Sequence, residues 1–399
     1  VRGVGGGMGA FQQGRVEAEC WPHRHEQMPG DHRCTHLGTP EQYAGRMAKH
    51  PVAGLKAEAF GPFEAINVEF SRSLNVVLGD NSTGKSQLLK LLYAATRSLR
   101  ENPGATKREL QPAIADKLVG TFRPDSLGRL SRRVQGTARS SVRLKLEGVG
   151  TPLEFSFSSR SRTEVELAKH PTEALEEDQP VFMPSHELLS LGADFVSLYD
   201  TYQTPFEETW RDTVQLLLLP ALRGPRGRRA NELLAPFSEL LQGGTVSEGG
   251  GRFYLHQPGI GNLEAPLLAE GHRKLAMIVR LISSGALLES GYLFWDEPEA
   301  NLNPSSQKAV AHALIHLARH GVQIFVATHS TFLLRELEMT LENERDIVPR
   351  FIGLQRSTDD GQPDAAARVT AASVAVMENL PFIAALEAEA RQADDYLGM

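Results

Sequence analysis

The octet "GDNSTGKS", Gly79 to Ser86, matches the spacing G-x-x-x-x-G-K-[ST] and directly follows the apolar run "LNVVL", Leu74 to Leu78. A buried strand, a glycine-rich turn and then a helix is the context in which this spacing can cradle phosphate. The glycines let the backbone wrap closely, and the turn amides and the helix N-terminus supply partial positive charge. The helix is marked by Leu88, Leu89, Leu91, Leu92 and Ala95 on one face. Lys85 at its start reaches the β and γ phosphates, and Ser86 is placed to ligate Mg2+. The expected nucleotide-binding residues are Gly79, Asp80, Asn81, Ser82, Thr83, Gly84, Lys85, Ser86 and Gln87. The ligand implied is a nucleoside triphosphate.

A second constraint is "LFWDEPEANLNP", Leu293 to Pro304, where an apolar strand ends in adjacent acids. Beside the phosphate loop, Asp296 would face the magnesium ion, whose charge offsets the repulsion between Asp296 and Glu297. Glu297 is then free to take a proton from an attacking water. The next apolar strand ends in "THS", and His329 at its tip could hydrogen-bond the γ-phosphate and that water. Between the motifs, "LLAEGHRKLAMI" sets Gly271, His272, Arg273 and Lys274 at a helix start. That start suits a γ-phosphate, or is simply a solvated basic turn.

The surrounding pattern fixes the fold class. "GLKAEAF" and "AINVEFS" read as strands around "GPF", and "SVRLKLEG" and "LEFSFSS" as alternating strands beyond a basic, turn-rich stretch. Residues from about 172 to 265 look mostly helical. From "HRKLAMIVRLISS" onward helices alternate with continuous apolar strands, "GYLFWD", "VQIFVATHS" and "RFIGLQ". Strands apolar on both faces and separated by helices imply a mostly parallel α/β sheet covered by helices. The expected organisation is a tail over 1–50, a first core part with a basic β-rich insert over 51–165, a mainly helical insert over 166–265, a second core part over 266–357, and a C-terminal loop and helix over 358–399.

Composition narrows the class. The 399 residues carry a net charge of −7 and 23% charged residues, an ordinary globular balance that advertises no polyanion partner. The longest greasy stretch, Leu216 to Leu222, is broken by Pro220 and falls far short of the roughly 20 residues that span a bilayer. No membrane and a cytoplasmic location are therefore expected. Cys20 and Cys34 lie among His23, His25, His32 and His36, but their spacing fits no standard zinc knuckle and reads better as disorder. The chain opens on Val, and organised sequence begins after "MAKHPVAGLKAEAF", which points to Met47 as the functional start.

In order and spacing these motifs resemble the ABC-type ATPases, a P-loop NTPase superfamily. Within it, the chain looks most like the bacterial AAA-family ATP-binding proteins related to the ATPase half of OLD nucleases, to RecF and to SMC heads. "FGPF" before "LNVVLGDNSTGKS" resembles the entry of RecF and SMC heads, while "LFWDEPEANLNP" and "VATHS" resemble the OLD-like ATPases. The resemblance covers about residues 54–355. It implies that Lys85 and Ser86 form the Walker A pair, Asp296 is the Walker B magnesium ligand, Glu297 the catalytic base and His329 the switch histidine. Asn301 to Pro304, with Asn301 and Asn303, would form the D-loop. "LAEGHRK" would stand where the family has its signature, which contacts the ATP of a facing subunit. Ala269 and Glu270 replace the usual serine and glycine, so that contact would fall to Gly271, His272, Arg273 and Lys274. "VFMPSHE" resembles the setting of a Q-loop, with His186 or Glu187 as its candidate. The nuclease domain of OLD proteins is not expected in the roughly 70 residues after His329.

The implied activity is ATP hydrolysis by a homodimer, or a higher even oligomer, acting as a switch on a separate effector such as a nuclease or toxin, in anti-phage defence or DNA maintenance. A transporter motor and a non-hydrolysing scaffold are the alternatives. A basic island from Arg97 to Lys145, including Arg129, Arg132, Arg133, Arg139 and Arg143, is either a nucleic-acid surface or a solvated face.

Overall fold

In the computed structural model, residues 48–132, 138–175, 178–202, 204–241, 243–288, 291–357, 368–381 and 384–397 are described. The cysteine and histidine cluster, Met47, Arg133 and residues 358–367 lie outside them.

Strands β1 (Val52–Phe60) and β2 (Phe63–Glu69) form a hairpin around Gly61 and Pro62, and β3 (Leu74–Gly79) leads into helix α1 (Lys85–Glu101). After α2 (Lys107–Phe122), strands β4 (Arg139–Leu146), β5 (Leu153–Ser158) and β6 (Glu166–Lys169) return to the hairpin. They complete an antiparallel five-stranded sheet ordered β2-β1-β4-β5-β6. Next come β7 (Gln179–Met183), α3 (Gly192–Thr201), α4 (Glu208–Leu218), α5 (Gly224–Leu240), β8 (Thr245–Gly249), β9 (Arg252–Gln257) and β10 (Gly261–Glu264). The alternating core follows as α6 (Glu270–Ser283), β11 (Gly291–Asp296), α7 (Pro304–Arg319), β12 (Val322–Thr328), α8 (Thr331–Leu341) and β13 (Pro349–Ser357). β14 (Arg368–Val374) and α9 (Ala384–Leu397) close the chain.

The central sheet runs β14-β13-β3-β12-β11-β7, parallel throughout except for the antiparallel edge strand β14. Its strands read as unbroken apolar runs because both faces are covered. Leu74, Val76, Leu293, Trp295, Ile324 and Val326 enter one core, shared with α6, α7 and α8. The alternate residues Val77, Phe294, Phe325 and Ala327 enter a second core beneath α1, α2 and the antiparallel sheet. The expected α/β architecture with an N-terminal antiparallel part is therefore present. Among the described residues no helix is long and apolar enough to cross a membrane.

Three local expectations are corrected. The stretch read as turn-rich holds α2, started by a capping box between Thr106 and Glu109. Lys117 and Gly120 lie among its buried residues, which blurs the apolar period. The 166–265 segment is not mainly helical at its end, because β8, β9 and β10 form an antiparallel three-stranded sheet. Gly250 and Gly251, both at left-handed φ, turn β8 into β9, a two-glycine hairpin signal that helical patterning obscured. Finally, the C-terminal segment adds β14 to the central sheet, paired with β13 from Phe351 opposite Val374 to Ser357 opposite Arg368.

The basic stretch also turns inward. Lys117 Nζ lies 2.6 Å from Glu208 Oε1, 3.0 Å from Glu101 Oε2 and 3.3 Å from Asp212 Oδ2, while Tyr93 donates to Asp212 at 2.7 Å. Burial alone would raise the Asp212 carboxyl, but Lys117, Arg97, Tyr93 and Arg211 together bring it below its ordinary value. This network ties α4 to α1 and α2, so Arg97 and Lys117 serve the interior.

Candidate nucleotide site

Parallel register brings the motif residues together. Asp296 at the end of β11 lies beside Ala327 of β12, and Ala327 lies beside Val77 of β3. One residue on, Thr328 lies beside Leu78, so the phosphate loop, the acid pair and His329 all leave the carboxyl ends of adjacent strands. Ligands of open α/β sheets bind at that edge.

The loop is shaped for close approach. Gly79 and Gly84 have φ of 154° and 95°, and Ser82 has φ of 67°. A Cβ on Gly84 would lie 2.6 Å from Pro62 Cγ and 2.8 Å from Phe63 Cζ, so the "FGPF" turn packs directly under the loop. Asp80, Asn81, Ser82 and Gln87 form an exposed rim, and Thr83 is buried with its hydroxyl bonded to Asp80 O at 2.8 Å. α1 starts with no side-chain cap and no acid in its first turn, which leaves its N-terminal amides for an anion. Lys85 is 6% exposed and donates to Gly79 O at 2.8 Å and to Asp80 O at 3.1 Å. It thus lies folded over the cradle.

Asp296 is largely buried, and burial raises its carboxyl; the Ser86 hydroxyl bonds it and works the other way, while Glu297 adds to the rise. Its Oδ1 has no hydrogen-bond partner among the described residues. A buried carboxylate oxygen left over beside a bound hydroxyl is an oxygen donor set suited to a hard divalent cation. Ser86 and Asp296 therefore fit magnesium.

Glu297 takes φ of 46°, outside the usual region for its type, and its N–H donates to Ala327 O at 2.9 Å. Its Oε1 lies 3.4 Å from His329 Nδ1. His329, with about half its side chain exposed, therefore reaches both the acid and open space. Glu299, which motif reading passed over, is buried directly beneath them. Its Oε1 accepts from Thr328 Oγ1 at 2.8 Å and from His329 N at 3.0 Å. The available signal was a third acid in the same short turn, after an apolar strand.

The segment read as a trans-acting signature is partly committed within its own chain. Lys274 is 1% exposed and donates to Ala300 O at 2.8 Å and to Glu297 O at 3.3 Å. Burial lowers its pKa to about 8 against the pull of Glu299, Glu270, Glu297 and Asp296. Arg273 lies 2.9 Å from Glu187 Oε1 and also donates to Leu268 O. The expectation that Arg273 and Lys274 face a second subunit is thus corrected for this conformation: reaching out would strip Lys274 of both carbonyls. Gly271 packs against Leu302, with a Cβ there only 3.0 Å from Leu302 Cδ2, and His272 is half-buried.

In the turn read as a D-loop, Asn301 has φ of 62° and donates to Glu270 at 2.8 Å, while Asn303 caps α7 by accepting from Ser306 N at 2.9 Å. His186 packs its ring 5.7 Å from that of Trp210. Of the basic candidates, Arg132 is buried and donates to Pro62 O. Arg139 pairs with Glu166, and Arg143 lies 3.0 Å from Glu154. Arg129 is exposed, 4.0 Å from Asp125.

Comparison with known proteins follows this geometry. A family model described as "AAA domain, putative AbiEii toxin, Type IV TA system" matches residues 74–335, from the start of β3 into α8. Over 50 residues, 12% of the chain, the sequence is 42% identical to the DNA replication and repair protein RecF of Oenococcus oeni. That match spans 13% of the relative's length. Among solved structures, the SMC head domain from Thermotoga maritima is 14% identical with a TM-score of 0.42, covering 82% of this chain and 99% of that one. An SMC head bound to the C-winged helix domain of ScpA is 13% identical with a TM-score of 0.47, covering 83% of this chain and 100% of that one.

Proposed function

The chain belongs to this AAA-domain family of ABC-type ATPases, and from that premise we propose that it binds and hydrolyses ATP as a dimeric switch on a separate effector. The single observation that carries the reading is convergence: Lys85, Ser86, Asp296, Glu297 and His329 meet at the carboxyl edge of adjacent parallel strands.

The loop amides and the α1 N-terminus hold the phosphates, and Lys85 swings from the Gly79 and Asp80 carbonyls onto the β and γ oxygens. Ser86 and Asp296 would hold magnesium, which would supply positive charge against the phosphates. Glu297 accepts the proton of a water as its oxygen attacks the γ-phosphorus and the bond to the β–γ bridging oxygen breaks. His329, beside Glu297, orients that water and the γ-phosphate. Little covalent help is needed, so placement of these groups supplies the catalysis.

The partner in the sandwich is a second copy, facing the cradle with Gly271, His272 and the amides of the α6 start. The effector is a nuclease or toxin in anti-phage defence or DNA maintenance. A nucleic-acid contact through the basic insert would fall first to Arg129, whose carboxylate partner Asp125 lies 4.0 Å away, because Arg139 and Arg143 are held more closely by Glu166 and Glu154.

Glu297→Gln is the test. The variant is expected to bind ATP within about 3-fold of wild type, to release phosphate about 100-fold more slowly or worse, and to accumulate as an ATP-bound dimer in light scattering. Wild-type phosphate release by the variant would point to a scaffold that uses ATP only to assemble.

A further inference from the structure

Glu299 stands outside the groups that would touch nucleotide or metal, yet it is 6% exposed and central to how they are held. One of its oxygens does two jobs. Oε1 accepts from the Thr328 hydroxyl and from the N–H of His329, and His329 Nδ1 lies 3.5 Å from the same atom. The Thr328 hydroxyl in turn accepts from Ser330 N at 3.0 Å, so the turn that presents the histidine is stitched through this carboxylate. The other oxygen, Oε2, is buried without a hydrogen-bond partner among the described residues. A residue kept only for packing would not normally leave a buried carboxylate oxygen unsatisfied, because that costs stability.

Glu299 also belongs to the turn that carries the base. Ala300 N donates to Glu297 O at 3.1 Å, Leu302 N donates to Glu299 O at 3.0 Å, and Lys274 clamps the carbonyls of Glu297 and Ala300. Glu299 joins this turn to the tip of β12 through a shared acceptor. We propose that Glu299 is a positioning residue, whose Oε1 fixes His329 against Glu297 so that both address the same water and γ-phosphate. This rests on the hydrolytic reading above. The acting feature is an acceptor oxygen rather than a charge, which separates two variants. Glu299→Gln keeps an oxygen where Oε1 sits, and Glu299→Ala removes it.

Three readouts decide it: binding of a fluorescent ATP analogue, phosphate release, and the ring resonances of His329 in nucleotide-free and metal-free protein, assigned with His329→Gln. Glu299→Ala is expected to lose about 10- to 100-fold in kcat, as misplacement of a reacting group does, with affinity for the analogue within about 3-fold of wild type. Glu299→Gln is expected to recover kcat to within about 5-fold. The His329 resonances should shift in Glu299→Ala and hold in Glu299→Gln. Wild-type kcat in the alanine variant, equal losses in both variants, or an unmoved resonance in Glu299→Ala would overturn the assignment. Should the alanine variant not fold, Thr328→Val removes one of the two donors, and kcat should drop about 3- to 10-fold at unchanged affinity; an unchanged kcat overturns it. If wild type binds ATP but releases no phosphate, the hydrolytic reading fails, and the resonances alone then decide whether Glu299 positions the ring.

Discussion

Acid stability should depend on a histidine far from the chemistry. His316 on α7 is half-buried against α5, with its ring 4.4 Å from that of His320. Burial, then His320 and Arg319, lower its pKa from 6.5 to about 4, with the Leu233 backbone pulling the other way. The folded protein therefore holds this ring neutral where the unfolded chain would protonate it. Stability from a His with a depressed folded pKa is fully present above the unfolded value and is lost as pH falls from about 6.5 toward 4. Between pH 7.5 and 4.5 the slope of about 1.4 kcal/mol per pH unit accumulates to roughly 2.7 kcal/mol, or about 2 after allowing for partial exposure. His316→Gln cannot ionise. Urea unfolding of wild type and variant at both pH values should show wild type losing about 2 kcal/mol more than the variant on acidification. Parallel losses, within about 0.5 kcal/mol, would refute the claim that the fold keeps His316 neutral.

Two further outcomes follow from contacts already described. Gly84→Ala forces a Cβ within 2.6 Å of Pro62 at a φ of 95°, so affinity for ATP should fall at least about 10-fold, with about 1–3 kcal/mol of destabilisation, by titration and thermal melts. Lys117→Met removes the cation facing Glu208, while Asp212 keeps Arg97, Arg211 and Tyr93, and should cost about 3–5 kcal/mol in chemical unfolding, partly restored by adding Glu208→Gln.

The local motifs were legible because their information is local. β3, the loop and α1 form one continuous stretch, and the acid pair and His329 each end a strand whose unbroken apolar run marks it as central. What escaped depends on pairings across the chain. Lys274 follows a glycine at a helix start and reads as outward-facing, but its partners, the carbonyls of Glu297 and Ala300, lie more than 20 residues on. Arg97 and Lys117 added to an apparent basic surface in part because Asp212 and Glu208, which join Glu101 in neutralising them, sit in a different helix. β14 escaped because an edge strand needs a neighbour, β13, to be recognised as one.

The acid turn itself illustrates why pattern and fold must be argued together. Asp296, Glu297 and Glu299 crowd three carboxylates into four positions at the end of a buried strand, and two of them are largely buried. In sequence the only visible remedy is a magnesium ion. In the fold, two buried lysines from separate elements already face the cluster. Burial lowers the pKa of Lys85, and Glu297, Asp296 and Glu299 push it back up; Lys274 answers the same three acids together with Glu270. Each lysine tolerates burial because of the acids, and the acids tolerate one another because of the lysines. Lys85 is held by bonds to loop carbonyls that a phosphate could replace, whereas Lys274 is clamped to the turn it supports. In the proposed mechanism Lys85 turns to the nucleotide while Lys274, clamped to its turn, stays as the counter-charge to the acids.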